Sequence, residues 1–197
     1  MTLNVAKLIS VARGQSPADL VLANARIVNV FTGEIETGDI AISGDYIAGI
    51  GDYDNGKKVI DLQWNFLLPG FLNGHVHIES SMLDVGSYTR AVVAHGTTAL
   101  VTDLHEIANV CGMDGIEYIM QKVRNLPLDF FLMAPSCVPA THLETSGAFI
   151  GIKQIKQLLK LKSCCGLGEM MNYPGVLFTD NKVLGKIATA REKTVDG

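Results

Sequence analysis

The stretch Pro69-Gly70-Phe71-Leu72-Asn73-Gly74-His75-Val76-His77-Ile78-Glu79-Ser80-Ser81 decides how this chain is read. An apolar run leads into it, and two histidines leave it two residues apart. Successive side chains of a strand point to opposite faces, so His75 and His77 share one face while Val76 turns away. Two neutral imidazoles converging from a rigid strand end suit a borderline divalent metal such as zinc, iron or manganese, with positions left for other ligands and water. The spacing alone equally describes a polar strand end at the surface, so the rest of the chain has to separate the two readings.

Beyond this stretch the pattern alternates strand and helix. Phe71 to His77 reads as strand, Leu83 to Ala94 as helix closed by His95-Gly96, and Thr97 to Asp103 as a β-branched strand. Ile107 to Arg124 reads as helix, Phe130 to Ala134 as strand, Lys153 to Lys162 as helix and Cys165 to Gly168 as a short strand. Asn181 to Lys193 is a further helix, and Thr194-Val195-Asp196 opens another strand. Alternation of this kind argues for a parallel sheet with crossover helices, whose closed form is the eight-fold barrel. The fold class expected is therefore α/β: a partial (β/α)8 TIM-type barrel, comprising the first four units and the start of the fifth. A closed barrel takes about 250 residues, about twice the length of chain after Pro69. The chain is accordingly expected to be the N-terminal portion of a longer enzyme.

Before Pro69 the rhythm is different. Val5, Leu8, Ile9 and Ala12 fall on one face of a short helix that ends at Arg13-Gly14. From Asp19, short β-rich runs are punctuated by Thr32-Gly33, Ser43-Gly44-Asp45 and Asp54-Asn55-Gly56. The reading is an N-terminal helical segment over 1–18, a small antiparallel, β-sandwich-like sheet domain over 19–68, and the barrel portion over 69–197.

Composition narrows the partners. The chain has 197 residues, 48% of them hydrophobic and 18% charged, with 20 glycines, as expected of a globular protein with many tight turns. A net charge of -4 provides no basic field for a phosphate backbone, so a nucleic acid polymer is not expected as partner. Four cysteines, Cys111, Cys137, Cys164 and Cys165, form no C-x-x-C pair and read as reduced thiols of a cytoplasmic protein. No apolar run reaches membrane-spanning length, and no membrane partner is expected. The combination of His-x-Glu with Pro-Cys-x-x-Cys found in the zinc nucleobase deaminases is absent, since Pro135-Ser136-Cys137 has no second cysteine in register, and phosphate-loop and dinucleotide motifs are absent too.

Chemistry in such a barrel sits where strands end and loops begin. Polar residues stand at each of those points: His75 and His77; Asp103, His105 and Glu106; Ser136, Cys137 and Thr141 to Glu144; Glu169, Asn172 and Tyr173. Taken singly, each has an ordinary explanation. Asp103 and Glu106 could simply open the next helix with favourable charge, and Glu169 could be a solvated loop acid. Their recurrence over four successive units favours a shared site.

The string Pro-Gly-Phe-Leu-Asn-Gly-His-Val-His resembles the first barrel strand of the amidohydrolase superfamily, and His-Val-His-Ile-Glu-Ser-Ser is similar to the adenine deaminases within it. Thr102 to Val110 resembles their second-strand motif, with Leu104 where proline is usual. Pro135 to Thr141 with Glu144 to Ala148 resembles the third-strand loop, and Gly166 to Val176 the fourth, with Met170 in a place that often holds valine. The similarity runs from about Asp19 to Gly197.

This resemblance implies hydrolytic deamination of adenine to hypoxanthine and ammonia by a metal-activated water, in purine salvage. It implies a binuclear manganese or iron centre, with zinc a further candidate. His75 and His77 would bind one metal, and Glu169 would be the bridging, catalytic carboxylate. His105 and Glu106 would contact substrate or move protons, Asp103 would orient a ligand histidine from behind, and Ser80, Ser81, Ser136 and Asn172 would meet the substrate. The remaining metal ligands and the general base are expected beyond Gly197, so this chain alone is expected to be inactive, and the full-length form to be a homo-oligomer. Two other functions compete: an amidohydrolase acting on a cyclic amide, and a non-catalytic metal-binding remnant.

Overall fold

The computed structural model describes residues 4–197; residues 1–3 of the expected N-terminal segment lie outside the described residues. The chain forms two compact units that divide between Pro69 and Gly70.

In the first unit, Asn4 caps helix α1 (Val5–Ala12), its side chain accepting the Lys7 N–H at 3.0 Å. The helix does not pack through the expected face. Val11 is the buried residue, clustered with Ala18, Val21 and Ala41, while Val5 and Ile9 are exposed. After the helix's last turn, the Tyr53 hydroxyl donates to the Ala12 carbonyl at 2.9 Å. Five strands come next: β1 (Leu20–Val28), β2 (Ile35–Ser43), β3 (Tyr46–Gly51), β4 (Val59–Asp61) and β5 (Phe66–Leu67). They make one sheet, ordered β3-β2-β1-β4 with β5 also on β1.

The antiparallel expectation holds for β1 to β3 only. Both β4 and β5 run parallel to β1 because the chain crosses from the β3 edge to the opposite edge before pairing. A single sheet also replaces the expected sandwich-like pair of layers. Within β1 the register shifts between Leu22 and Ala25, and Asn24 takes φ 56°. That bulge switches the side chains between faces. Val21 and Ala23 pack on the α1 side, whereas Ala25 and Ile27 join Ile40, Leu22 and Leu67 in a separate cluster.

The second unit is a curled sheet of five parallel strands in sequential order, β6 (Phe71–Val76), β7 (Thr97–Asp103), β8 (Asp129–Ala134), β9 (Cys164–Leu167) and β10 (Thr194–Val195). Helices α2 (Val85–Val93), α3 (His105–Lys122), α4 (Ile152–Leu158), α5 (Tyr173–Leu177) and α6 (Asn181–Thr189) lie between them. Asp84 and Asp180 cap α2 and α6 through backbone N–H groups of their first turns. The core is apolar strand residues against apolar helix residues: Leu100, Leu132 and Leu167 with Ile116, Ile155 and Leu158 are each at most 2% exposed. Helix α3 breaks at Gly112, whose φ of 62° and ψ of -142° are not helical. The Asn109 carbonyl there accepts the Gly147 N–H at 2.8 Å, which ties the long loop after β8 to the helix. Parallel pairing brings the C-terminal ends of β6 to β10 to one edge of the sheet.

Candidate metal centre at the strand ends

Three donor atoms meet at that edge. His75 Nε2 lies 3.0 Å from His77 Nε2 and 2.8 Å from Glu169 Oε1, and His77 Nε2 is 3.5 Å from the same carboxylate oxygen. Each ring is set by its other nitrogen. His77 Nδ1 is 3.0 Å from the Asp103 carbonyl, which can only accept, so Nδ1 carries the hydrogen and Nε2 presents its lone pair. His75 Nδ1 stands 2.8 Å from Asp196 Oδ2, which fixes that ring the same way. Two lone pairs and a carboxylate oxygen aimed at one point repel one another unless a cation lies between them. Ligands at about 2.0–2.1 Å from a cation stand roughly 3 Å apart from one another, the spacing seen here. The residues present therefore fit a divalent cation.

A second group lies beside the first, since His105 packs on His77 with ring centroids 4.6 Å apart. His105 Nδ1 is 3.6 Å from the buried Asp103 Oδ1, too long for a hydrogen bond but close for a charge pair. The Asp103 carboxylate, and after it the Cys137 sulfur, push the His105 pKa up to about 10 against the opposing effect of burial. Glu106 Oε1 accepts the Ser80 hydroxyl at 2.6 Å. His77, His105 and Glu106 thus present donor atoms to one another, as do Asp103, His105 and Cys137.

All four expected substrate contacts make hydrogen bonds within the protein, Ser80 with Glu106 as above. The Ser81 hydroxyl donates to the Ile78 carbonyl at 2.6 Å and accepts the Leu83 N–H at 3.2 Å, so it shapes its own turn. The Asn172 side chain caps α5 by accepting the Gly175 N–H at 2.9 Å. Ser136 is 3% exposed, and its hydroxyl donates to the Glu169 carbonyl. Asp103 does reach a candidate ligand histidine, but through its backbone carbonyl. Its carboxylate Oδ2 instead accepts the Glu169 N–H at 3.0 Å.

Sequence reasoning gave no site role to Asp196 or Glu79, and set Cys137 at a strand end without assigning it one. Glu79 Oε1 accepts the Ile107 N–H at 3.2 Å, while Oε2 is buried with no partner among the described residues. Burial, and further down the order the neighbouring Glu106, push its pKa up. The available signal was spacing: Glu79 comes two residues after His77, and Asp196 directly follows β10 while Asp103 ends β7. An open depression of about 400 Å³, lined by His75, Glu169, Met170, Met171, Asp196 and Gly197, faces the donors. That volume is in the range of small-molecule sites. One of about 410 Å³ in the first unit is lined mainly by aliphatic residues, Leu22, Ile27, Ile40 and Ile42 among them, and lacks such a cluster.

The model of the Amidohydrolase family matches residues 66–196. The chain belongs to that family. This amidohydrolase is 58% identical to an adenine deaminase of Dehalococcoides mccartyi over 197 residues, which is 100% of the chain and 34% of the relative. It is 53% identical to the adenine deaminase of Clostridium acetobutylicum over 96% of the chain and 33% of the relative. For the adenine deaminase of Methanothrix thermoacetophila the figures are 48% identity, 99% and 35%. The chain thus spans about a third of the length of these curated relatives.

Among solved structures, this amidohydrolase is similar to N-acyl-D-glutamate deacylase from Bordetella bronchiseptica, complexed with zinc and a phosphonate inhibitor. The TM-score is 0.61 at 12% identity, over 90% of this chain and 44% of that one. Atrazine chlorohydrolase from Arthrobacter aurescens, a mutant complexed with zinc and atraton, gives a TM-score of 0.52 at 16% identity, over 71% and 42%. These likenesses support the curled parallel sheet as part of the family's barrel.

Proposed function

We propose that this chain forms part of an adenine deaminase that hydrolyses adenine to hypoxanthine and ammonia in the salvage of free purine bases. The observation that carries the reading is identity of 58% to an adenine deaminase along the entire chain, through every segment that contributes to the strand-end cluster. His75, His77 and Glu169 would hold one divalent cation of a binuclear centre. An all nitrogen and oxygen donor set suits manganese or iron, with zinc as the other candidate. When bound, the cation would lower the pKa of water, from about 15.7 to about 7 in the zinc case, and so supply the nucleophile near neutral pH.

The chain's own residues do the rest. Glu169 presents a carboxylate oxygen at the point where water would be deprotonated, and its negative charge offsets that of the cations. His105, beside the Asp103 carboxylate, and Glu106, oriented by Ser80, line the neighbouring wall, where the amino group that leaves must gain a proton. The 197-residue chain alone is expected to release no ammonia from adenine. Four free thiols accord with a cytoplasmic protein, no helix of the described residues is long and apolar enough to cross a membrane, and the full-length form is proposed to be a homo-oligomer.

A chimera tests the assignment. This chain would replace the matching third of the Dehalococcoides mccartyi enzyme, and the product would be loaded with manganese and assayed for ammonia release from adenine and for opening of cyclic amides such as hydantoin. Turnover of adenine is expected. Hydrolysis of the cyclic amide alone would establish a different amidohydrolase, and a folded, metal-loaded chimera with neither activity would make this chain a non-catalytic remnant.

A further inference from the structure

Glu169 lies just past β9, in a short loop that has no helix to hold it, yet its carboxylate oxygen is set 2.8 Å from His75 Nε2 and 3.5 Å from His77 Nε2. Both polar groups of its backbone leave the sheet ladder and bind side chains from neighbouring strands. Its N–H donates to Asp103 Oδ2 at 3.0 Å, and its carbonyl accepts the Ser136 hydroxyl. Asp103 is 1% and Ser136 3% exposed, so neither bond competes with bulk water.

Ser136 is braced in turn. Lys186, on α6 and only 8% exposed, donates its ammonium to the Ser136 carbonyl at 2.5 Å. Burying an ammonium opposes its charge, and the structure gives this one the Ser136 carbonyl as acceptor. The residue before Glu169 completes the arrangement. A Cβ on Gly168 would collide with Asp103 Oδ2, so only glycine lets that carboxylate close on the Glu169 amide.

We propose that Asp103, Ser136 and Lys186 form a clamp on the backbone of Glu169, admitted by Gly168, which sets the carboxylate in its ligating position; they are positioning residues, and Ser136 serves the metal ligand rather than the substrate. The clamp rests on the reading of His75, His77 and Glu169 as cation ligands. It links three successive strand ends, β7, β8 and β9, with helix α6 beyond them. Asp103 is its hub, because the same residue's carbonyl also orients His77.

The test uses the intact 197-residue chain with Co²⁺ as a spectroscopic probe. Affinity and the visible absorption bands are recorded for the wild type and for Ser136→Ala, Ser136→Thr, Lys186→Met and Gly168→Ala. Amide hydrogen exchange at Glu169 is measured in the metal-free chain. Loss of an orienting group behind a metal ligand costs roughly 10–100-fold in affinity. That loss is expected for Ser136→Ala, Lys186→Met and Gly168→Ala, together with altered bands and faster exchange at Glu169. Ser136→Thr, which keeps the hydroxyl, should restore wild-type affinity, bands and exchange, an effect that general destabilisation would not give. Wild-type affinity and exchange in Ser136→Ala and Gly168→Ala would overturn the clamp while leaving the cation site intact. A wild-type chain that binds no Co²⁺ would overturn the cation reading itself, and with it the clamp.

Discussion

At the scale of single residues, the candidate cation site rests on which nitrogen of each imidazole faces inward. Asp196 holds His75 Nδ1 and the Asp103 carbonyl holds His77 Nδ1, leaving both Nε2 atoms for a common partner. The first unit carries an electrostatic counterpart in Asp19, whose carboxylate accepts Lys57 Nζ at 2.7 Å, Lys7 Nζ at 2.9 Å and the Gly44 N–H at 2.9 Å. Those partners, Lys57 foremost, hold the Asp19 pKa well below the usual carboxylate range. A depressed folded-state pKa stabilises above the unfolded value and loses that contribution as pH falls toward the folded one. Asp19→Asn is therefore expected to lower the thermal midpoint of the chain at pH 7. The difference from wild type should shrink as pH falls below about 4, the unfolded aspartate value, and also shrink in molar salt because the pairs are exposed. A pH-independent difference in scanning calorimetry would contradict this.

At the scale of elements, the sheet of the second unit is held by strand residues such as Leu132 of β8, which is fully buried among Leu100, Ile116 and Ile155. Leu132→Ala should cost about 2–5 kcal/mol of unfolding free energy, read as a lower urea midpoint; a loss under about 1 kcal/mol would mean that the core closes over the gap. The alternation of strand and helix after Pro69 was legible because each apolar run is bounded by turn or cap residues, as at Gly96 and Asp180. The first unit was less legible. The sequence breaks between Leu20-Val21-Leu22 and Ala25-Arg26-Ile27, and asparagine tolerates the left-handed region, but neither says that Ala25 and Ile27 turn to the other face. The face of α1 was misread for a related reason: periodicity marks the apolar side of a helix but not which turn of it meets a sheet. At the site, His75, His77 and Glu169 were readable by spacing and resemblance. The engagement of Ser81, Ser136 and Asn172 with backbone groups was not, since serine and asparagine serve substrates and turns equally well.

At the scale of the whole molecule, the chain consists of two units, and the candidate site belongs entirely to the second, between strand ends that parallel pairing places side by side. The family is established and the chemistry is that of its donor set, while the chain matches only about a third of each adenine deaminase relative. The central claim is that His75, His77 and Glu169 close on one cation. Equilibrium dialysis of the purified chain against Mn²⁺, with elemental analysis of wild type and of His75→Ala, His77→Ala and Glu169→Gln, tests it most directly. The account predicts one tightly held ion per wild-type chain and its loss in each variant with secondary structure retained. Equal metal content in wild type and all three variants would contradict it.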